Sequence, residues 1–423
     1  MHSFMQNRIY TALRRLEPYA KTDLIYLFKG GGWLSANQFA QSVVALGIAV
    51  AFANLISSYH YGIYKYVVSI IELCAIFGLS GMGLTITRHV ARGEFGALKQ
   101  GLRQFLVGGV ASAGASVAIG IYYLLNDDIL IGGSILIGGL LAPLVQAAML
   151  PQAYFDGTRD FKLKVWWSAG SAIASAIATI IILFILPSIL LLVTIPSLVS
   201  IAIGLAAYQS IVRTQKQQNA ERPIPNLLSY ATHQSVISSL ANAATKLETL
   251  ILFQLLGPVS VAIYNFAVGI PNQLNFISKA LKTLAVPRFS QQSLPAIIRA
   301  LPFRMLLFFL GIAGIVGIYI ISAPAIFALL FPQYLNAVIY SQAAALLLLF
   351  SPMSLFAEAL AVHAHHKALY INQVAVLIIR IAGMLILIPQ FGIMGLIGAG
   401  LAARIATFFY FGYIAVVVMR ASK

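Results

Sequence analysis

Nine ionisable side chains fall inside stretches of this sequence that are otherwise apolar: Lys65, Glu72, Lys246, Glu248, Lys279, Lys282, Glu358, Arg380 and Arg404. A charge at the centre of a bilayer costs about 2.5–3.5 kcal/mol on insertion scales, so such groups seek a cavity, a partner or the interface. Lys279, Lys282 and Glu358 lie within about two turns of the end of their stretches, where a long side chain can carry its charge out to the headgroups. Glu72, Lys246, Arg380 and Arg404 lie near the middle of theirs, where it cannot. Lys65 and Glu72 are seven residues apart and share one helix face. Lys246 and Glu248 are two apart and point to different faces, so at least one needs a partner on another helix or a wet cavity. Six bases against three acids suit an anionic cargo, while an isolated acid suits H+ or Na+ coupling. Lys65, Lys246, Arg380, Arg404, Asn242 and Asn272 are therefore the candidates for a substrate path, and Glu72 and Glu248 for ion coupling.

The elements that must position these groups are membrane spans. Of 423 residues, 60% are hydrophobic and 9% charged, against about 25% charged in soluble chains. Apolar stretches run over 30–57, 61–87, 104–125, 129–155, 165–186, 189–212, 228–256, 259–286, 303–321, 338–362, 368–388 and 393–419. Each is long enough to cross a core of about 30 Å at 1.5 Å per residue. The expected class is all-α, with about twelve spans, and residues 323–337 are placed at the interface.

The net charge of +16 does not indicate nucleic acid, because 21 of the 27 Lys and Arg residues fall in alternate loops and at the two ends. Arg8, Arg14, Arg15, Lys21 and Lys29 precede the first span. Arg88, Arg92, Lys99 and Arg103 follow the second, and Arg288, Arg299 and Arg304 follow the eighth. The intervening loops hold none. By the positive-inside rule both termini are cytoplasmic. Cys74 is the single cysteine and lies in a span, so no disulfide framework is expected. The first 29 residues carry seven charges and no apolar core, so no cleavable signal is expected; residues 9–28 have the pattern of an interfacial amphipathic segment.

Shifting the sequence by 200 residues lays Ile63-Tyr64-Lys65-Tyr66 over Ile263-Tyr264-Asn265-Phe266, and Leu84 and Arg88 over Leu284 and Arg288. The repeat unit is six spans, an even number, so the halves are parallel repeats about an axis along the membrane normal. The expected organisation is a segment 1–29, a six-helix bundle 30–212, a linker 213–227, a second bundle 228–419 and a tail 420–423. A cleft lies between the bundles. Glu72 superposes on Asn272, which follows Pro271, so two equivalent helices turn polar at one depth. The seventh stretch is polar as well, through His233, Gln234, Ser235, Ser238, Ser239, Asn242 and Thr245.

Two other patterns carry less. Gly30-Gly31-Gly32 lacks the Lys-Ser/Thr of a phosphate loop and is read as letting the first helix start at the interface. His363, His365 and His366 sit in a turn without spaced Cys or carboxylate partners, so no metal is expected.

Lys29-Gly30-Gly31-Gly32-Trp33-Leu34, Tyr61-Gly62-Ile63-Tyr64, Gly81-Met82-Gly83-Leu84 with Arg88, and Leu256-Gly257-Pro258 followed by Pro287-Arg288 resemble the oligosaccharide flippases. These form the polysaccharide-export branch of the multidrug/oligosaccharidyl-lipid/polysaccharide exporter superfamily. The resemblance implies a V-shaped bundle with a central lumen. It would move an undecaprenyl-diphosphate-linked oligosaccharide across the inner membrane by alternating access, as a monomer, alongside glycan polymerase and assembly proteins. It implies no cofactor and no catalysis. Lys29, Arg88, Lys279, Lys282 and Arg288 are expected at a cytoplasmic gate or headgroup site. Two other functions remain open: a cation-coupled drug or metabolite antiporter, and a membrane glycan ligase or polymerase. Against the enzyme, the outer loops are short turns with Asp127 and Asp128 as their only acids.

Overall fold

The computed structural model describes residues 24–215, 224–274, 289, 292–363 and 365–421, and among them regular structure is entirely helical. The helices are α1 Leu24–Leu55, α2 Ser58–Cys74, α3 Met82–Val90, α4 Ala97–Leu125, α5 Ile129–Thr158, α6 Phe161–Ile185 and α7 Ile189–Gln215. They continue with α8 Leu227–Leu274, α9 Leu294–Leu330, α10 Val338–Leu346, α11 Met353–Val362, α12 His366–Phe391 and α13 Ile393–Ala421. The turns are cut by local chemistry. Ser57, Asp128 and Asp160 accept the free amides of His60, Ile131 and Leu163 at the starts of α2, α5 and α6. Arg159, at φ 61°, ends α5 in the left-handed region.

Eleven helical segments among the described residues are long and apolar enough to span a membrane, against the twelve expected. The difference lies in α8, where two helices meet at Gly257, whose φ is 78° and ψ 179°. Only glycine takes that conformation readily. The next residue, Pro258, has no amide to donate and so opens a new helix without loss. The two arms, 227–256 and 258–274, both touch α2. Phe253 on the first stacks on Tyr66 at 3.7 Å, and Phe266 on the second stacks on Tyr61 at 4.7 Å. The first arm's opening turns carry the polar side chains of His233, Gln234 and Ser235. A polar helix of this kind is tolerated where protein, not lipid, covers it.

Close approach of backbones fixes the packing. On α2, a Cβ added at Gly62 would fall on the Pro258 carbonyl, so the α2 and α8 backbones touch there. Gly62→Ala is expected to destabilise the protein by about 1–3 kcal/mol through overpacking, measured by unfolding in detergent. An unchanged unfolding midpoint would show that this approach is not required. On α4 and α5, Gly120 abuts Gly132 and Gly139 abuts Ser116, the small-residue contact typical of membrane helices.

One local expectation is corrected: Gly30–Gly32 lie within α1, which is helical from Leu24 among the described residues. Over residues 323–337, α9 extends to Leu330, a 3-10 turn covers Pro332–Ala337, and Phe327, Phe331 and Tyr334 are buried within the protein. Those three join Phe52, Ile56, Tyr61 and Phe266 in one cluster at the end where α1 turns into α2. Tyr334 lies 4.2 Å from Phe266, ring to ring, and Phe52 lies 5.1 Å from Tyr61.

Candidate functional site

Below this aromatic cluster, polar contacts cross between helices at one depth. Ser42 on α1 donates to Gln273 Oε1 on the second arm of α8 at 3.0 Å. Glu72 on α2 pairs with Lys246 on the first arm. Ser42 lies 13 residues before the end of α1, Glu72 14 after the start of α2, and Lys246 11 before Gly257. At 1.5 Å per residue each is about 16–21 Å from its turn, near the middle of a core of about 30 Å. The two contacts are related by the repeat. Shifting Ser42 and Gln273 by 200 in opposite senses gives 242 and 73, one turn from Lys246 and next to Glu72.

The expectation that Lys246 and Glu248 need partners on other helices is met twice. Lys246 reaches back to α2, while Glu248, only 4% exposed, turns the other way and pairs with Arg380 on α12. The Tyr264 hydroxyl, on the opposite arm of α8, donates to the second Glu248 oxygen at 2.8 Å. An anion buried among helices is tolerable when a counter-charge sits against it, as Arg380 does here. Sequence reasoning did not find Tyr264, although the repeat places it over Tyr64 on the matching helix.

Arg380 also opens onto a cavity of about 370 Å³ walled by α12, α13 and the segment joining α10 to α11. Arg404, Asn372, Gln373, Ser351, Ser354 and Thr407 supply its polar lining, and no acidic residue lines it. Arg404, Arg380 and Glu248 are near enough to act on one another electrostatically. This cavity was also invisible in the sequence, since its walls come from residues more than 50 positions apart.

The remaining expected site residues are more scattered. Lys65 lies over the Tyr61 ring, with its ammonium 5.5 Å from the centroid, a cation–π contact rather than one with Glu72. Asn272 is exposed on the second arm of α8. Arg88, on α3, lies 4.6 Å over the Tyr230 ring of α8 and so ties the basic ends of two helices. Lys279, Lys282 and Arg288, and the side chains of Lys29 and Asn242, lie outside the described residues. The imidazole of His363 is engaged by two backbone carbonyls, those of Ala359 and Gln292, each at 2.9 Å.

A further polar contact ties the same helices nearer the aromatic cluster. Gln254 donates to the Tyr66 hydroxyl at 2.7 Å, and Tyr66 in turn meets Tyr123 of α4. Contacts with α8 thus run along α2 from Gly62–Pro258 through Tyr66–Gln254 to Glu72–Lys246, and on to Gly81–Ser235 at the start of α3. These contacts form one seam.

The family described as polysaccharide biosynthesis protein matches residues 27–293, a stretch that holds the whole seam. The chain belongs to that family. No curated protein matches the chain. Solved structures with the same fold include an inward-facing multidrug resistance MATE family transporter of the MOP superfamily, 11% identical, TM-score 0.69, covering 90% of this chain and 96% of that one. The lipid II flippase MurJ in an inward closed conformation is 15% identical, TM-score 0.67, with 90% and 86% covered. A MOP superfamily transporter from Pyrococcus furiosus is 12% identical, TM-score 0.56, with 93% and 94% covered. At these identities the likeness is one of fold. This family member is therefore a multi-span membrane protein with the all-helical fold of MOP-superfamily transporters.

Proposed function

We propose that the protein is a flippase that carries an undecaprenyl-diphosphate-linked oligosaccharide, the repeat unit of an O-antigen, capsule or exopolysaccharide, across the inner membrane. The family match over 27–293 is the observation that carries this reading. Its support in physical chemistry is the seam. A glycan headgroup cannot cross hydrocarbon unaided, because each unpaired polar group costs several kcal/mol there. A path lined by Lys65, Lys246, Asn242, Asn272, Arg380 and Arg404 offers donors and positive charge instead.

In this reading residues 30–212 and 228–419 move as two halves about the linker 213–227. The aromatic cluster of Phe52, Tyr61, Phe266, Phe331 and Tyr334 closes the outer end. The Glu72–Lys246 pair is the latch at mid-depth. A proton or Na+ taken by Glu72 competes with Lys246 for the carboxylate, so the same event loosens the seam and frees an ammonium for the anionic headgroup. Glu248 is the second coupling candidate, held in the closed form by Arg380 and Tyr264. Arg88 against Tyr230, with Lys29, Lys279, Lys282 and Arg288, forms the cytoplasmic gate. The protein works without a cofactor and without catalysis, as a monomer, with both termini cytoplasmic and next to the polymerase and assembly proteins that use the glycan.

Depletion of the protein in cells is expected to accumulate lipid-linked repeat units on the cytoplasmic face while surface glycan falls. Normal surface glycan in a strain with no redundant exporter would sink this function.

A further inference from the structure

The 370 Å³ cavity lies among α10–α13, away from the α2–α8 seam, and its electrostatics are unbalanced. Two guanidinium groups line it and no carboxylate does; Glu248 neutralises one of them from behind. The Nε of Arg380 is buried and has no hydrogen-bond partner among the described residues, and the same is true of the Ser351 hydroxyl, on a residue only 7% exposed. Glu248 Oε1 beside Arg380 lacks a hydrogen bond as well and can take the Nε, so the Ser351 hydroxyl is the buried donor in the cavity wall left without an acceptor.

We propose that this cavity binds a phosphoryl group, held by Arg404, Arg380 and Ser351. The inference rests on the flippase reading for the source of that group, the diphosphate of a lipid-linked glycan. The donors converge from three walls: Ser351 from the segment before α11, Arg380 from α12 and Arg404 from α13. A tetrahedral phosphoryl group has oxygens in all three directions, whereas a planar carboxylate is served by donors in one plane. Arginine is also the side chain best fitted to phosphoryl oxygens. The volume leaves room for what the group is attached to, and Asn372, Gln373 and Thr407 meet it with polar atoms.

The test is direct binding to the purified full chain in detergent at fixed salt, with inorganic pyrophosphate, farnesyl diphosphate and glucuronate as probes. Wild type is expected to bind pyrophosphate, with Arg404→Gln weakening it at least about ten-fold and Ser351→Ala several-fold, as loss of charge-assisted and neutral hydrogen bonds implies. Arg420→Gln, at the far end of α13, should change nothing. Farnesyl diphosphate binding tighter than pyrophosphate, with the same sensitivity to Arg404→Gln, identifies a lipid headgroup; equal affinities identify a soluble anion. Either supports the site. Failure of folded wild type to bind either phosphoryl probe, or affinities unchanged in both cavity variants, would overturn it, as would glucuronate binding more tightly than pyrophosphate. If Arg404→Gln does not fold, Ser351→Ala decides alone. Binding needs no translocation, so a protein that binds but does not flip keeps this site and loses the transport function.

Discussion

Replacing Glu248 by alanine is expected to cost the protein about 3 kcal/mol of stability, among the larger effects any single change should have. Breaking one side of a buried ion pair costs about 3–5 kcal/mol, because the surviving charge stays in low dielectric without a partner. Here the survivor is Arg380, and its access to the cavity places the effect at the lower end of that range. The Tyr264 hydroxyl would be orphaned at the same time. Glu248→Gln keeps an acceptor for Tyr264 and should be milder. Glu248→Met combined with Arg380→Met should be milder than either single change, since apolar pairs of similar volume replace buried ion pairs at little cost. Denaturant unfolding of detergent-purified protein measures each of these variants. Single variants within about 0.5 kcal/mol of wild type would mean that the pair is a surface-like contact after all.

The second large effect concerns the latch. Lys246→Glu sets two carboxylates against each other where an ion pair now stands. At about 4 Å and an effective dielectric near 20, a unit pair is worth about 4 kcal/mol, so reversing its sign biases the seam by several kcal/mol. Both side chains are partly exposed to the cleft, which screens that figure. Even about 2.8 kcal/mol would shift a two-state equilibrium about a hundred-fold. The expected result is a seam held open and transport lowered by about that factor. A thiol-specific bifunctional reagent bridging Ser42→Cys and Gln273→Cys reports the seam. It should link them readily in the wild-type background and poorly with Lys246→Glu. Restoring the pair in reverse, with Glu72→Lys added, should recover the link. Equal cross-linking in all three backgrounds would remove the latch.

What the sequence could show, and what it could not, follows from the range of each interaction. Hydropathy and loop charge act locally, and so the helices appeared where apolar runs did. The exception was α8, where two helices meet at Gly257 with no loop between them. That Lys246 and Glu248 must look in opposite directions is helix geometry, legible from a spacing of two. That their partners are Glu72 and Arg380 is not, because those residues are 174 and 132 positions away. The repeat was the one long-range signal available, and it placed Glu72 and Asn272 at a common depth. It did not reveal that the contact partners exchange between halves. Lys65 shares a helix face with Glu72 but lies on Tyr61, because a nearer aromatic ring competes for the ammonium. The Ser351 hydroxyl gave no signal at all: a lone serine in an apolar segment looks like helix packing until the cavity in front of it is seen.

The most direct test of the flippase function is translocation by the purified chain. The protein would be reconstituted in liposomes with a fluorescent undecaprenyl-diphosphate-linked oligosaccharide, and an impermeant quencher would report the leaflet. The account predicts protein-dependent movement of the probe between leaflets, faster under an imposed H+ or Na+ gradient and lost with Lys246→Glu. Quenching kinetics identical to those of empty liposomes, from protein that is folded and inserted, would contradict it.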